Sequence, residues 1–452
     1  MPMKTMKTKS LIVLPILLAT VNSMLAESMS TGPAAPRSSW VVTNSVPATN
    51  EITLTEFLNE VASANLDYAA QRYNVDIARA AVAIAREFPN PNLDLGGSRD
   101  LRFHGSQALP QPASAGLDQT IEYFGKRKWR IRTAEQSYRS AAATLDDFLR
   151  NLKLDASEAF ITALGAEKTC EQQREATEYL NQLAAAQAHR FKAGDIGETD
   201  LTQARVDELQ SESDLLNAQN DFQVAQLALS TFLGRNRGQT VLVPQGNLDF
   251  EPRQFELSQL VVKALEVRPD LVALRHARDS AQSGIHLARA SRLPDVDVGV
   301  NYTHTTASEN DIAPAPHDSM LGVSLSFPLP LWNRNRAEIQ AAQSVEAQAD
   351  KVLQSAELKA EVQVRQALTT YQLALERVQK FQGQLLKGAD DVLTAKRFSY
   401  EHGNSTLDDL LMAQSADNGV HQAFNEALTD AARALMELDR AAGLDTFGGS
   451  HS

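Results

Sequence analysis

The sequence predicts a mainly α-helical chain with a β-barrel part, made of a helix–β-hairpin–helix unit that occurs twice. Three observations lead there: an internal repeat, two long runs free of proline, and four short segments in which apolar and polar residues alternate.

The repeat is read first because a period sets the architecture. The stretch Leu54–Asp67 lies over Leu257–Asp270, an offset of 203, and Pro91-Asn-Leu-Asp-Leu-Gly96 falls on Pro294-Asp-Val-Asp-Val-Gly299 at the same offset. The offset is 208 where Tyr123–Arg127 meets Leu331–Asn335, and 209 where Phe191-Lys-Ala-Gly194 meets Tyr400-Glu-His-Gly403. Four matches in order, with so little drift, exceed what chance similarity between Ala-rich helices gives. The first copy is placed at 51–235 and the second at 257–442, with a linker at 236–256 and a C-terminal tail at 443–452.

Each copy opens with a helical region, broken near Asn65 in the first and near Pro269 in the second. Pro89 and Pro91, and then Pro294, stop it, because proline lacks the helical N–H and restricts the residue before it. Two strands follow in each copy, at about 92–103 and 113–123, and at about 295–304 and 319–328. The second pair alternates cleanly: Val296, Val298, Val300 and Tyr302, then Leu321, Val323, Leu325 and Phe327. That is the period of a strand apolar on one side only. Loops at 104–112 and 307–316 join the strands. Helical runs then extend from about 127 to 190 and from about 335 to 400. Some 64 residues of helix reach about 95 Å, which points to a coiled-coil-like or bundled assembly. Turns at Gly194–Gly197 and at Gly403 reverse the chain, and Asp200 with Gln203 and Thr406 with Asp409 have capping-box spacing.

The first residues form a targeting segment. Lys4, Lys7 and Lys9 precede an apolar run from Leu11 to Leu18, with a signal peptide expected over 1–26, cleaved after Ser23 or Ala26. An N-terminal extension covers 27–50. No later apolar stretch approaches the about 20 residues of a membrane-spanning helix. A part that enters a bilayer must then be a closed β-barrel. The net charge of -13 argues against nucleic acid, and the single Cys170 permits neither an intrachain disulfide nor a cysteine metal cluster.

Four strands cannot close a barrel, since known barrels have at least about eight. Two chains give a narrow, filled barrel; three give twelve strands and leave a hole. The competing reading is a periplasmic coiled-coil structural protein with two small hairpins and no pore.

Four pieces then stand out: Arg268-Pro-Asp-Leu271, Phe327-Pro-Leu-Pro-Leu-Trp-Asn-Arg-Asn335, Tyr400-Glu-His-Gly403 and Leu407-Asp-Asp-Leu-Leu-Met-Ala-Gln414. With them the chain resembles the outer membrane efflux protein (TolC-like) family over about residues 52–442. Within it, the second piece is similar to the outer-membrane components of cobalt–zinc–cadmium type cation efflux systems. The resemblance implies a homotrimer with a 12-stranded outer-membrane barrel and a periplasmic helical tunnel. Its implied partners are a periplasmic adaptor protein, an inner-membrane proton-driven pump and outer-membrane lipid. Cargo is expected to be divalent heavy-metal cations, with drugs or other organic compounds as the alternative.

The tips are the expected adaptor-docking or periplasmic-entrance sites: Arg190, Gly194, Asp195, Glu198 and Asp200 in the first copy, and Arg397, Gly403, Asp408 and Asp409 in the second. Threefold symmetry multiplies each carboxylate at such an aperture, which favours cations. Tyr123 and Trp332, at corresponding hairpin ends, suit a lipid–water boundary. The nine histidines are scattered and no two stand at i, i+4, so no metal site is expected. No catalytic constellation or cofactor-binding loop is found either.

Overall fold

The computed structural model describes residues 48–99, 101, 109–234, 240–248, 252–311 and 314–444. The expected signal peptide, most of the N-terminal extension, the centre of the first hairpin loop and nearly all of the C-terminal tail lie outside them.

The element order repeats. A strand β1 (Ala48–Thr53) leads into α1 (Leu54–Ala64) and α2 (Leu66–Arg86), then β2 (Asn92–Gly97) and β3 (Pro112–Ile121), then α3 (Lys126–Ala193) and α4 (Glu198–Phe232). The second set is β4 (Thr240–Gln245), α5 (Leu257–Val267), α6 (Pro269–Ala290), β5 (Val296–Thr305), β6 (Asp318–Ser326), α7 (Arg336–Lys380), α8 (Leu386–Glu401) and α9 (Leu407–Ala442). A π-helical turn, Phe381–Leu385, joins α7 to α8 without ending the helix. The 68 residues of α3 extend about 100 Å.

Local chemistry sets the breaks. Thr53 and Glu56 cap α1 reciprocally, and the Asn65 side chain accepts from the Tyr68 amide to start α2. Pro269 occupies the first turn of α6, where its missing N–H costs no bond. Arg268 is buried, bidentate to Asp270, and also donates to the Ala441 carbonyl at 3.2 Å and to Gln363 at 2.9 Å. The Arg-Pro-Asp piece therefore bolts the α5–α6 corner to the end of α9. Burial opposes ionisation of Asp270, but the hydrogen bonds and charge of Arg268, with help from Arg150, hold its carboxyl below the ordinary range.

Among the described residues two large clusters form the main core, and two smaller ones, around Ala184 and around Leu393, lie toward the tips. Phe57, Val61, Phe160, Leu164 and Leu229 fill the first; Leu260, Ala264, Val364, Leu368 and Leu438 fill the second. Phe57 and Leu260 are repeat-equivalent positions, so each copy uses its opening helix in the same way. Across the two copies, β1 pairs with β4 in parallel, Ile52 opposite Pro244.

The four remaining strands make one antiparallel sheet in the order β2-β3-β5-β6. Three details depart from the sequence reading. Strand β2 stops at Gly97, with Ser98 and Arg99 outside it, because Gly96, Gly97 and Ser98 give it little side chain to pack; the expected strand end near 103 lies outside the described residues. Strand β3 stops at Ile121, two residues before Tyr123, because Phe124 and Gly125 turn left-handed at φ 63° and 75° to launch α3. Asp200 does not cap α4: Gly197 is the N-cap, so Glu198 and Asp200 both fall in the first turn, where they complement the helix dipole. Gln203 binds Asp207 instead.

Candidate functional site

The sheet has two faces of opposite character. Backbone register places Leu93 opposite Leu117, Leu117 opposite Val300, and Val300 opposite Val323, one apolar row across all four strands. The next row on that face runs Leu95, Ala115, Tyr302, Leu321. These side chains are uncovered: Val323 is 78% exposed and Leu321 76%. The other face carries Asn92, Asp118, Gly299 and Ser324 in one row and Asp94, Gly116, Asn301 and Gly322 in the next. Among the described residues the outer edges of β2 and β6 have no neighbour strand. Exposed apolar area of this extent marks a surface built for another apolar phase, and open edges invite further strands. Tyr123 is exposed just past β3, and Trp332, 92% exposed, lies a few residues past β6.

The two tips share one turn geometry. Gly194 (φ 83°) and Gly403 (φ 74°) are left-handed, and the amides of Asp195 and Asn404 return to the carbonyls of Arg190 and Ser399 at 2.9 and 2.8 Å. This is a Schellman-type stop, which favours glycine at that position. Just above the tips, the Tyr400 hydroxyl accepts from Gln187 Nε2 at 2.6 Å and from Arg190 at 2.7 Å, linking α8 to α3. Arg397 stacks its guanidinium over Tyr179 at 4.5 Å. Asp195, Glu198 and Asp200 are exposed.

Adjacent Asp408 and Asp409 have different surroundings. Asp409 closes a capping box with Thr406, accepts from Ser405 and pairs with Lys396 at 3.2 Å; led by Lys396, these contacts lower its pKa. Asp408 is exposed and lines, with Asp207 and Asp214, a polar groove between α3, α4 and α9.

One group escaped the sequence reading. Asp390 of α8 and Asp417 and His421 of α9 bring three potential ligand atoms within 4.8 Å of one another. Burial raises the Asp417 carboxyl above its ordinary range; His421 opposes this and Asp390 adds to it. The sequence signal is the i, i+4 spacing of Asp417 and His421, a carboxylate–imidazole pair that the spacing of the histidines alone does not reveal.

A sheet with one bare apolar face and open edges, continued by long helical hairpins, defines a subunit of a membrane channel. Among the described residues no helix is long and apolar enough to cross a membrane. The chain belongs to the outer membrane efflux protein family, whose profile matches residues 57–235 and 260–444. It is 28% identical to the cobalt-zinc-cadmium resistance protein CzcC of Cupriavidus metallidurans over 371 residues, 81% of this chain and 84% of that protein. To the outer membrane protein TolC of Escherichia coli it is 24% identical, over 75% of this chain and 71% of that one. The Campylobacter jejuni CmeC outer membrane channel superposes with a TM-score of 0.72 at 16% identity, covering 86% of this chain and 85% of that one. The protein is thus an outer-membrane efflux channel of tripartite pumps, with a periplasmic tunnel, and not an enzyme. Channels of this kind are homotrimers that work with periplasmic adaptors and inner-membrane pumps.

Proposed function

We propose that three copies of this chain close their sheets, edge β2 of one on edge β6 of the next, into a 12-stranded barrel that carries divalent heavy-metal cations out of the cell. The observation that carries the channel is the row Leu93, Leu117, Val300, Val323, bare on one face while Asp94 and Asp118 stand on the other. Facing lipid with the first and water with the second satisfies both surfaces, and joining edges removes unpaired strand groups from the bilayer. The cobalt–zinc–cadmium reading is supported by the 28% identity to CzcC and by the acidic polar face.

The tips dock the periplasmic adaptor and form the entrance. Asp408, Asp195, Glu198 and Asp200 supply negative charge there, and Arg190 and Arg397 brace the helices through Tyr400 and Tyr179. Opening separates α8 and α9 from α3 and α4, which requires the Tyr400 contacts to break. The inner-membrane proton-driven pump supplies the energy; the duct supplies a hydrated path past lipid. Tyr123 and Trp332 sit at the lipid–water boundary.

The test is a deletion strain. Lost tolerance to cobalt, zinc or cadmium, with tolerance to dyes and detergents retained, supports the cation reading. Sensitivity to organic compounds alone replaces it with the drug-export reading. Recovery of the chain as a soluble monomer, absent from detergent-extracted outer membrane, overturns the channel itself and favours a periplasmic coiled-coil structural role.

A further inference from the structure

The cluster on α8 and α9 is better arranged to hold a cation than to stand alone. His421 Nε2 lies 3.3 Å from Asp390 Oδ1 and 3.8 Å from Asp417 Oδ1. Ligands about 2.0–2.2 Å from a tetrahedral zinc-type ion are themselves separated by about 3.4 Å, so small side-chain shifts complete the geometry. Asp417 is 7% exposed, and its Oδ1 is fully buried with no hydrogen-bond partner. A buried carboxylate oxygen that accepts no hydrogen bond is costly unless something positive answers it at close range. Arg397, which attracts Asp417 electrostatically, has its guanidinium over the Tyr179 ring and leaves that oxygen unbonded.

We infer that Asp390, Asp417 and His421 form a binding site for a divalent transition cation of the zinc class, one per chain, which staples α8 to α9. Two carboxylate oxygens and one imidazole nitrogen suit zinc or cobalt better than magnesium, which prefers oxygen and retains its waters, or copper(I), which prefers sulfur. Asp390 and His421 are open enough to admit the ion, and the missing fourth ligand is water. Asp417 stands ten residues into α9, about 15 Å from its start. Occupancy therefore ties the returning helix to its partner just above the tip, and resists any motion that parts them. Asp408 lies half a turn round α9 from Asp417 and belongs to a different surface. The site does not depend on the cargo: a duct for organic compounds can hold a structural cation.

The experiment uses the full chain purified in detergent, with zinc binding followed by calorimetry and cobalt binding by visible absorption. Wild type is expected to show one tight site per chain. Asp417→Asn and His421→Gln, both close in size to the native residues, should each weaken it by at least about tenfold, and Glu212→Gln, at an exposed position of α4, should leave it unchanged. Zinc should also protect α8 and α9 amides from hydrogen exchange in wild type but not in either variant. Equal binding by wild type and both correctly assembled variants overturns the site; so does loss of binding in Glu212→Gln alone. If Asp417→Asn does not assemble, His421→Gln decides. Metal tolerance of cells tests the cargo reading separately.

Discussion

Replacing Val323 by arginine tests the lipid-facing assignment of the sheet. Val323 is the sixth of nine residues of β6, opposite Val300, and is largely exposed. An arginine on the lipid face near the middle of a barrel strand costs about 2–4 kcal/mol. In the proposed trimer three symmetry-related copies raise this to about 6–12 kcal/mol, a large fraction of the stability of a typical domain. The neighbouring Ser324→Arg points to the polar face, in the row that contains Asp118, and has water and a carboxylate to meet it. The assay is the yield of protease-resistant trimer in detergent-extracted outer membrane. Val323→Arg should abolish or strongly reduce it, and Ser324→Arg should preserve it while altering ion selectivity. The reverse pattern would mean that the faces are assigned the wrong way round, and equal yields would mean that neither faces lipid.

Three further outcomes are expected. Gly403→Val forces a β-branched residue into the left-handed region, at a cost of about 1–2 kcal/mol; with nothing within 4 Å of the added Cβ, only the backbone objects. Gly403→Asn should therefore be nearly neutral, and limited proteolysis of the tip should separate the two while trimer yield stays constant. Asp408→Asn should lower single-channel cation preference, most visibly at low salt, whereas Asp409→Asn should loosen the start of α9 in hydrogen exchange with little change in selectivity; equal effects on selectivity would refute the distinction between them. Asp270→Asn should destabilise the assembled chain by about 3 kcal/mol at neutral pH, since it leaves the buried Arg268 charge without its partner. Because the Asp270 carboxyl is depressed in the folded state, its stabilisation is complete above the unfolded value of about 3.9 and fades as pH falls through the lower folded value. Denaturant midpoints for wild type and variant should converge only in that acid range.

The helices were legible because their signals are local. A run free of proline produced α3, and Asn65 and Pro269 marked the α1–α2 and α5–α6 breaks. Clean alternation from Val296 to Tyr302 is strand throughout, whereas the first copy, interrupted by Arg99, ends its strand at Gly97. What failed to show in the sequence depends on distant partners. Strands β1 and β4 are short, lie where an extension and a linker were expected, and make sense only as a parallel pair. Asp408 and Asp409 look alike in sequence, yet Lys396 and Thr406 occupy one and not the other. The Asp390–Asp417–His421 group needs α8 folded against α9 before its members meet.

The π-helical turn at Phe381–Leu385 has a consequence for the phase of everything after it. Before the turn, buried positions of the two copies correspond at 208, Ala156 with Val364 and Cys170 with Val378; after it the buried pair Ala184 and Leu393 corresponds at 209, as do the exposed tip glycines Gly194 and Gly403. The second copy has taken in one residue there. In a regular α-helix that insertion would swing all later side chains by about 100°, turning Leu393 out of its cluster and Tyr400 away from Gln187. A single widened turn absorbs the surplus, so the lower helix keeps its original heading. The duplication has thus acquired an indel in the middle of a continuous helix without the far end of the tunnel registering it.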